Sequence, residues 1–272
     1  MNGKHYDKAT LVVRKAGEKP LEYLTITMNE VLITSVSTGG SAGEDRLFEL
    51  AAFAGDLDRA RRQTDAVSHE QPELQASVGN YRQCLDAEQA RRRLFAEGLA
   101  PWFLMEAPEH ARQRLEAVSR TREGRHAEAA ALLEQANAGA EALKGTLNGK
   151  EFSGLRDADD LFGTVLEVFA KGEYFWAPLE QVVALAMNAP AFPRDLVWAP
   201  ARLTTADGQE GEVFLPALYP GTHEAGDDQV KLGRATDWKQ EGGGPVRGVG
   251  ARTFLIGDDG AVLTEWRELL LG

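Results

Sequence analysis

Asp157-Ala158-Asp159-Asp160 sets three carboxylates within four positions, a composition suited to acid/base work or to an oxygen-rich cation site. Because an apolar run follows, the simpler role is to hold free amides and face the positive end of a helix dipole, and helix capping is the expectation. His223 with Asp227-Asp228 is a second conceivable cation site, though exposed loop carboxylates gather this way by chance. His5, His69, His110, His126 and His223 lack metal-ligand spacing. Gly248-Val249-Gly250 supplies two glycines of a dinucleotide-binding motif without the third. An enzyme would have to be built around Arg234, Asp237 and Arg252. The sequence holds no cysteine pair, HExxH, GxxxxGK[ST] or GxSxG, so a non-enzyme without metal or cofactor is expected.

The elements that would position these residues change character along the chain. Thr10–Arg14 is short and β-branched, and a turn-rich stretch, 15–20, follows it. Leu24, Ile26 and Met28 then alternate with polar residues at the period of a half-buried strand, and Val31–Val36 is a third candidate. After a Gly/Ser-rich seam at 37–43 the period becomes helical. Gly55, Ala60 and Pro72 carry the turn glycine, helix-crossing alanine and terminal proline of a tetratricopeptide-type hairpin. Gly124 and Ala129 repeat the spacing 69 residues later, about twice a 34-residue period. Residues 77–98 read as helix outside that pattern. Extrapolated backwards, the first hairpin starts near Glu44, as a truncated helix.

Further on, Leu161, Phe162, Val165, Leu166 and Phe169 share a helical face that Lys171-Gly172 would end, and Pro178 suits the first turn of another helix. Two hairpins follow: 195–203 with 212–216 around Asp207-Gly208, and 252–256 with 262–266 around Asp258-Asp259-Gly260. Gly242-Gly243-Gly244 reads as a mobile loop. The resulting architecture is α+β, in three parts: a short antiparallel β piece (1–46), a helical layer (47–146) and a mixed domain with antiparallel strands (147–272).

The chain of 272 residues has a formal charge of -12, spread as neutral, -3 and -9 over those parts. Four of the six bases before residue 47 are Lys, whereas every base from Arg46 to Arg125 is Arg. This acidity argues against nucleic-acid binding, and Arg91-Arg92-Arg93 is expected to be a solvated helix face. Cys84 stands alone, so no internal disulfide forms; it is expected to pack as a small hydrophobe in a reducing compartment. No apolar stretch approaches the roughly 20 residues of a membrane span, and the start lacks a signal-peptide core.

Two stretches are recognisable. The stretch GKHYDKATLVVRKAGEKPLEYLTITMNEVLITSVSTGGSAGEDRL, about residues 2–46, resembles part of Hcp, the type VI secretion tube protein, whose strands belong to a barrel stacked in hexameric rings. From about residue 47, DADDLFGTVLEVFAKGEYFWAPLEQV, FPRDLVWAPARL, LPALYPGTHEAGDDQVKLGRATDW and GVGARTFL resemble the ImpE family, also called TagJ or SciE, of type VI accessory proteins. The first piece stands where that family has the start of its helical domain. The resemblance implies a cytoplasmic adaptor for the amino-terminal helix of the small contractile-sheath subunit, TssB-like. Tyr174, Trp176, Trp198, Tyr219 and Trp238 are the candidate anchors, unless they fill the core. The alternatives are a tube component, or a non-functional in-frame fusion of neighbouring genes.

Overall fold

A computed structural model describes the backbone of residues 9–11, 24–26, 42–70, 75–138, 142–257 and 259–272. The chain divides into two compact units, Met1–Gly79 and Asn80–Gly272.

In the first unit, β1 (Ala9–Leu11) pairs antiparallel with β2 (Leu24–Ile26), with Thr10 opposite Thr25. The third expected strand, Val31–Val36, the turn at 15–20 and Pro72 lie outside the described residues. The helix α1 (Ala42–Phe53) includes the end of the expected seam and pairs with α2 (Leu57–Glu70). Gly55 turns between them at φ 73°, and Ala60 is fully buried at the crossing. Leu50 and Phe53 are buried as well.

The helix α3 (Gln75–Glu97) carries the chain into the second unit. A short strand, β3 (Trp102–Phe103), precedes α4 (Glu109–Arg122) and α5 (His126–Ala138). These two helices form the second hairpin, with Gly124 at φ 75° in the turn and Ala129 fully buried. The left-handed conformation at both turns is the one glycine adopts without steric cost, and it is why both hairpins were legible in sequence.

The remainder is mostly antiparallel. In order come β4 (Lys144–Leu147), β5 (Lys150–Ser153), β6 (Leu155–Asp157), β7 (Val165–Ala170), β8 (Glu173–Pro178), β9 (Val182–Met187), β10 (Trp198–Thr205) and β11 (Glu210–Pro216). One helical turn, α6 (Asp228–Lys231), leads to β12 (Thr236–Gln240), β13 (Val246–Gly250), β14 (Thr253–Ile256), β15 (Asp259–Val262) and β16 (Glu268–Leu271). Nine strands form one sheet in the order β3-β8-β7-β11-β10-β9-β16-β4-β5, in which only β3 with β8 is parallel. β15-β14-β6 and β12-β13 are separate small sheets. Leu166, Leu185, Leu203, Leu215, Phe254 and Trp266 anchor the main core, giving the α+β architecture expected.

Three sequence expectations are corrected. Residues 161–170 are not a helix: Val165–Ala170 is strand β7, in register with β8 from Val165 opposite Pro178 to Ala170 opposite Glu173. Every residue from Val165 to Phe169 is buried, so neither strand face shows polar alternation, and such a run has no periodicity to separate it from a helix. Lys171 and Gly172, at φ 52° and 83°, are the two central residues of a tight hairpin turn rather than a helix end. Pro178 accordingly closes β8, and a single 3-10 turn, Leu179–Gln181, follows. The last hairpin also turns earlier than expected. Ile256 pairs with Asp259, Gly260 lies within β15, and Leu263–Glu265 is a 3-10 turn.

Candidate interaction site

Helix α3 and the sheet meet through buried charge. Glu167, central on β7, accepts from Arg91 Nε at 2.8 Å and Nη2 at 2.7 Å, and also from Arg252 and the Tyr174 hydroxyl. Arg91 Nη2 further donates to the Leu218 carbonyl at 2.9 Å, and Trp176 Nε1 donates to the Tyr174 oxygen at 2.6 Å. Arg91 is therefore a core residue, which corrects the solvated-face reading of the arginine run; Arg93, paired with Glu97, does face solvent. Burial alone would raise the Glu167 carboxyl, but the two guanidiniums outweigh it and hold it down at about 2.

The acidic run is not a helix cap. It forms the turn from β6 to β7, where Asp157 Oδ1 accepts from Asp159 N at 2.8 Å and Asp159 Oδ1 from Leu161 N at 2.9 Å. Asp159 also binds Arg247 Nε and Gly248 N, each at 2.9 Å, and Asp160 Oδ2 takes Val246 N at 2.8 Å, so the run fastens β13. Asp157 lies 3.3 Å from Arg252 Nε and 2.7 Å from the Tyr219 hydroxyl. Burial pushes its carboxyl up to about 7, with Asp159 adding to the shift against Arg252. Arg114 of α4 adds a further tie, donating to the carbonyls of Asp160 and Leu161 at 3.1 Å.

Above this network a cleft of about 640 Å³ opens between α3, the start of α5 and the β12–β13 hairpin. Gly242-Gly243-Gly244 forms the hairpin tip against α5, where a Cβ on Gly242 would lie 2.9 Å from the His126 ring. Gly248 passes the Tyr219 ring so closely that a Cβ there would come within 2.3 Å of Cε2.

Of the anchors suggested by sequence, Tyr174, Trp176, Trp198 and Tyr219 are at most 1 % exposed, while Trp238, on β12 against the Tyr219 ring, is 42 % exposed. Cys84 is buried, and burial raises its thiol well up. Arg252 is buried whereas Arg234 and Asp237 are exposed, so the three do not make one open site. Asp227 caps α6 through Gln229 N at 2.7 Å. His110 Nε2 meets Glu180 at 2.6 Å, but no group of three or more metal-ligating side chains occurs among the described residues. The charge network was missed in sequence, although Glu167 inside the apolar run 165–169 was a visible sign of it.

A model of the family described as "ImpE protein" matches residues 149–270. The type VI secretion system accessory component TagJ of Pseudomonas aeruginosa is 39 % identical over 223 residues, covering 82 % of this chain and 78 % of the relative. The chain belongs to the ImpE/TagJ family. A crystal structure of protein VPA1032 from Vibrio parahaemolyticus superposes on the same ImpE/TagJ fold with a TM-score of 0.77 and 25 % identity, covering 85 % of this chain and 87 % of that one. The first residues are similar to a different protein. A family model described as "Type VI secretion system effector, Hcp" matches residues 1–70, and Hcp1 of Pseudomonas aeruginosa is 65 % identical over 49 residues. That match spans 18 % of this chain and 30 % of Hcp1.

Proposed function

We propose that this chain is a non-enzymatic accessory adaptor of type VI secretion, acting in the cytoplasm and binding the amino-terminal helix of the small contractile-sheath subunit. The 39 % identity to TagJ over most of both chains carries the reading. The two helical hairpins around Gly55 and Gly124 support it, since helical layers of this type receive a partner helix through apolar anchors. Trp238 is the open member of the candidate anchors and is assigned that role. No helix among the described residues is long and apolar enough to cross a membrane. Capture of the sheath subunit by the full chain, lost when the subunit's first helix is deleted, is the test.

A tube-related role is the second reading, favoured by the 65 % identity to Hcp1 over 49 residues. It requires a hexameric ring by light scattering, and a monomer or dimer contradicts it.

A further inference from the structure

The cleft between α3, α5 and the β12–β13 hairpin has a chemistry that the sheath reading does not use. Two of its cations keep donors that no described residue takes. Arg247 is held from behind: its Nε sits 2.9 Å from both carboxylate oxygens of Asp159, and its guanidinium lies between the rings of Phe95 and Phe162, at 5.6 and 5.8 Å. No acceptor among the described residues takes Nη1 or Nη2, and the side chain is 24 % exposed at the cleft. Lys239, also on the cleft wall, has no carboxylate partner among the described residues. Glu88 is taken by Arg91 and Arg92, while Glu224 and Glu241 are exposed.

Apolar side chains share the lining with the polar ones, Phe95, Pro220, Pro245 and Val249 facing the same space as Thr121 and His126. They would add nothing to the binding of a bare inorganic anion. They suit a carboxylate carried on a chain with apolar neighbours, and the cavity has the size of an ordinary ligand site. With a net charge of -12 the molecule repels an extended polyanion such as nucleic acid, whereas a short segment inside the cleft lies within about one Debye length, roughly 10 Å, of these cations. We propose that this cleft binds an acidic peptide segment flanked by apolar side chains, its carboxylate on the Nη1/Nη2 fork of Arg247, with Lys239 supplying the second positive charge.

The test uses the full chain and a fluorescein-labelled pentapeptide alternating phenylalanine with glutamate, followed by anisotropy at about 50 mM salt, where screening is weak. Micromolar binding is expected, weakened tenfold or more, by about 1.4 kcal/mol, when glutamine replaces glutamate. Arg247→Lys, which keeps a cation for Asp159 but loses the fork, is expected to weaken binding about tenfold. Lys239→Gln, at an exposed residue without an ion pair, is expected to weaken it about threefold without touching the core. Equal affinity for the glutamine peptide, or affinity unchanged in both variants, overturns the proposal. Displacement of the peptide by low-millimolar inorganic phosphate overturns it too, in favour of a small-anion site. None of these outcomes depends on whether the sheath helix binds.

Discussion

Arg91 and Glu167, 76 residues apart in sequence, form a two-point buried ion pair that joins helix α3 to the centre of the main sheet. Both side chains are almost wholly removed from water; Arg91 is held in its charged form by Glu167 and Glu88, and Glu167 by Arg91 and Arg252. Losing Arg91 leaves Glu167 with Arg252 as its one remaining cation, and a buried charge stripped of a partner costs far more than the pair contributes relative to an apolar replacement.

Arg91→Ala is therefore expected to lower the unfolding free energy by about 3–5 kcal/mol, read from the urea midpoint. Replacing both members, Arg91→Met with Glu167→Leu, still takes Glu167 from Arg252, but is expected to cost less than the two single variants added together. A double variant that loses as much as both singles added together contradicts the coupling.

The two buried carboxylates give opposite pH dependences. Glu167 is held down at about 2, so its contribution is complete above the unfolded value of about 4.3 and is lost as pH falls toward 2. Asp157 is pushed up to about 7, so its contribution is complete below the unfolded value of about 3.9 and is lost as pH rises through 7. Asp157→Asn, which cannot ionise, is expected to gain stability relative to the parent chain as pH rises from about 4.5 to 7.5. Denaturant titrations at several pH values check this, and parallel curves for the two proteins would remove Asp157 from the account.

Gly248 lies directly against Tyr219, whereas Gly211 on β11 has open space where a Cβ would go. Gly248→Ala should cost about 1–3 kcal/mol through overpacking. Gly211→Ala should stay within about 0.5 kcal/mol of the parent. Thermal unfolding of the two variants side by side separates close packing from a general intolerance of substitution at strand glycines.

Trp198 and Trp238 should part in the same way. Trp198→Ala empties a core position and is expected to cost about 3–5 kcal/mol. Trp238→Ala leaves stability within about 1 kcal/mol because the ring is already 42 % exposed, while reducing sheath-helix capture about tenfold or more.

How much of this was legible depended on whether a residue's surroundings are local. Gly55 with Ala60 and Gly124 with Ala129 marked both helical hairpins because the turn and crossing constraints act within a few residues. Asp207-Gly208 likewise marked the β10–β11 hairpin, which pairs from Trp198 opposite Pro216 to Thr204 opposite Glu210. Residues 161–170 were misread as helix because burial on both faces erases the alternation that identifies a strand. Arg91 was misread because its partner comes from β7, and no neighbour on its own helix signals that contact. The cleft has the same cause: Arg247 and Phe95 are adjacent only once α3 and β13 are packed in one unit.

The adaptor reading is tested most directly by titrating the full chain into a fluorescently labelled peptide of the sheath subunit's amino-terminal helix. It predicts saturable binding with a Kd of about 10 μM or tighter, about -7 kcal/mol, weakened at least tenfold by Trp238→Ala. No saturation up to about 1 mM, the range of about -4 kcal/mol, would contradict it.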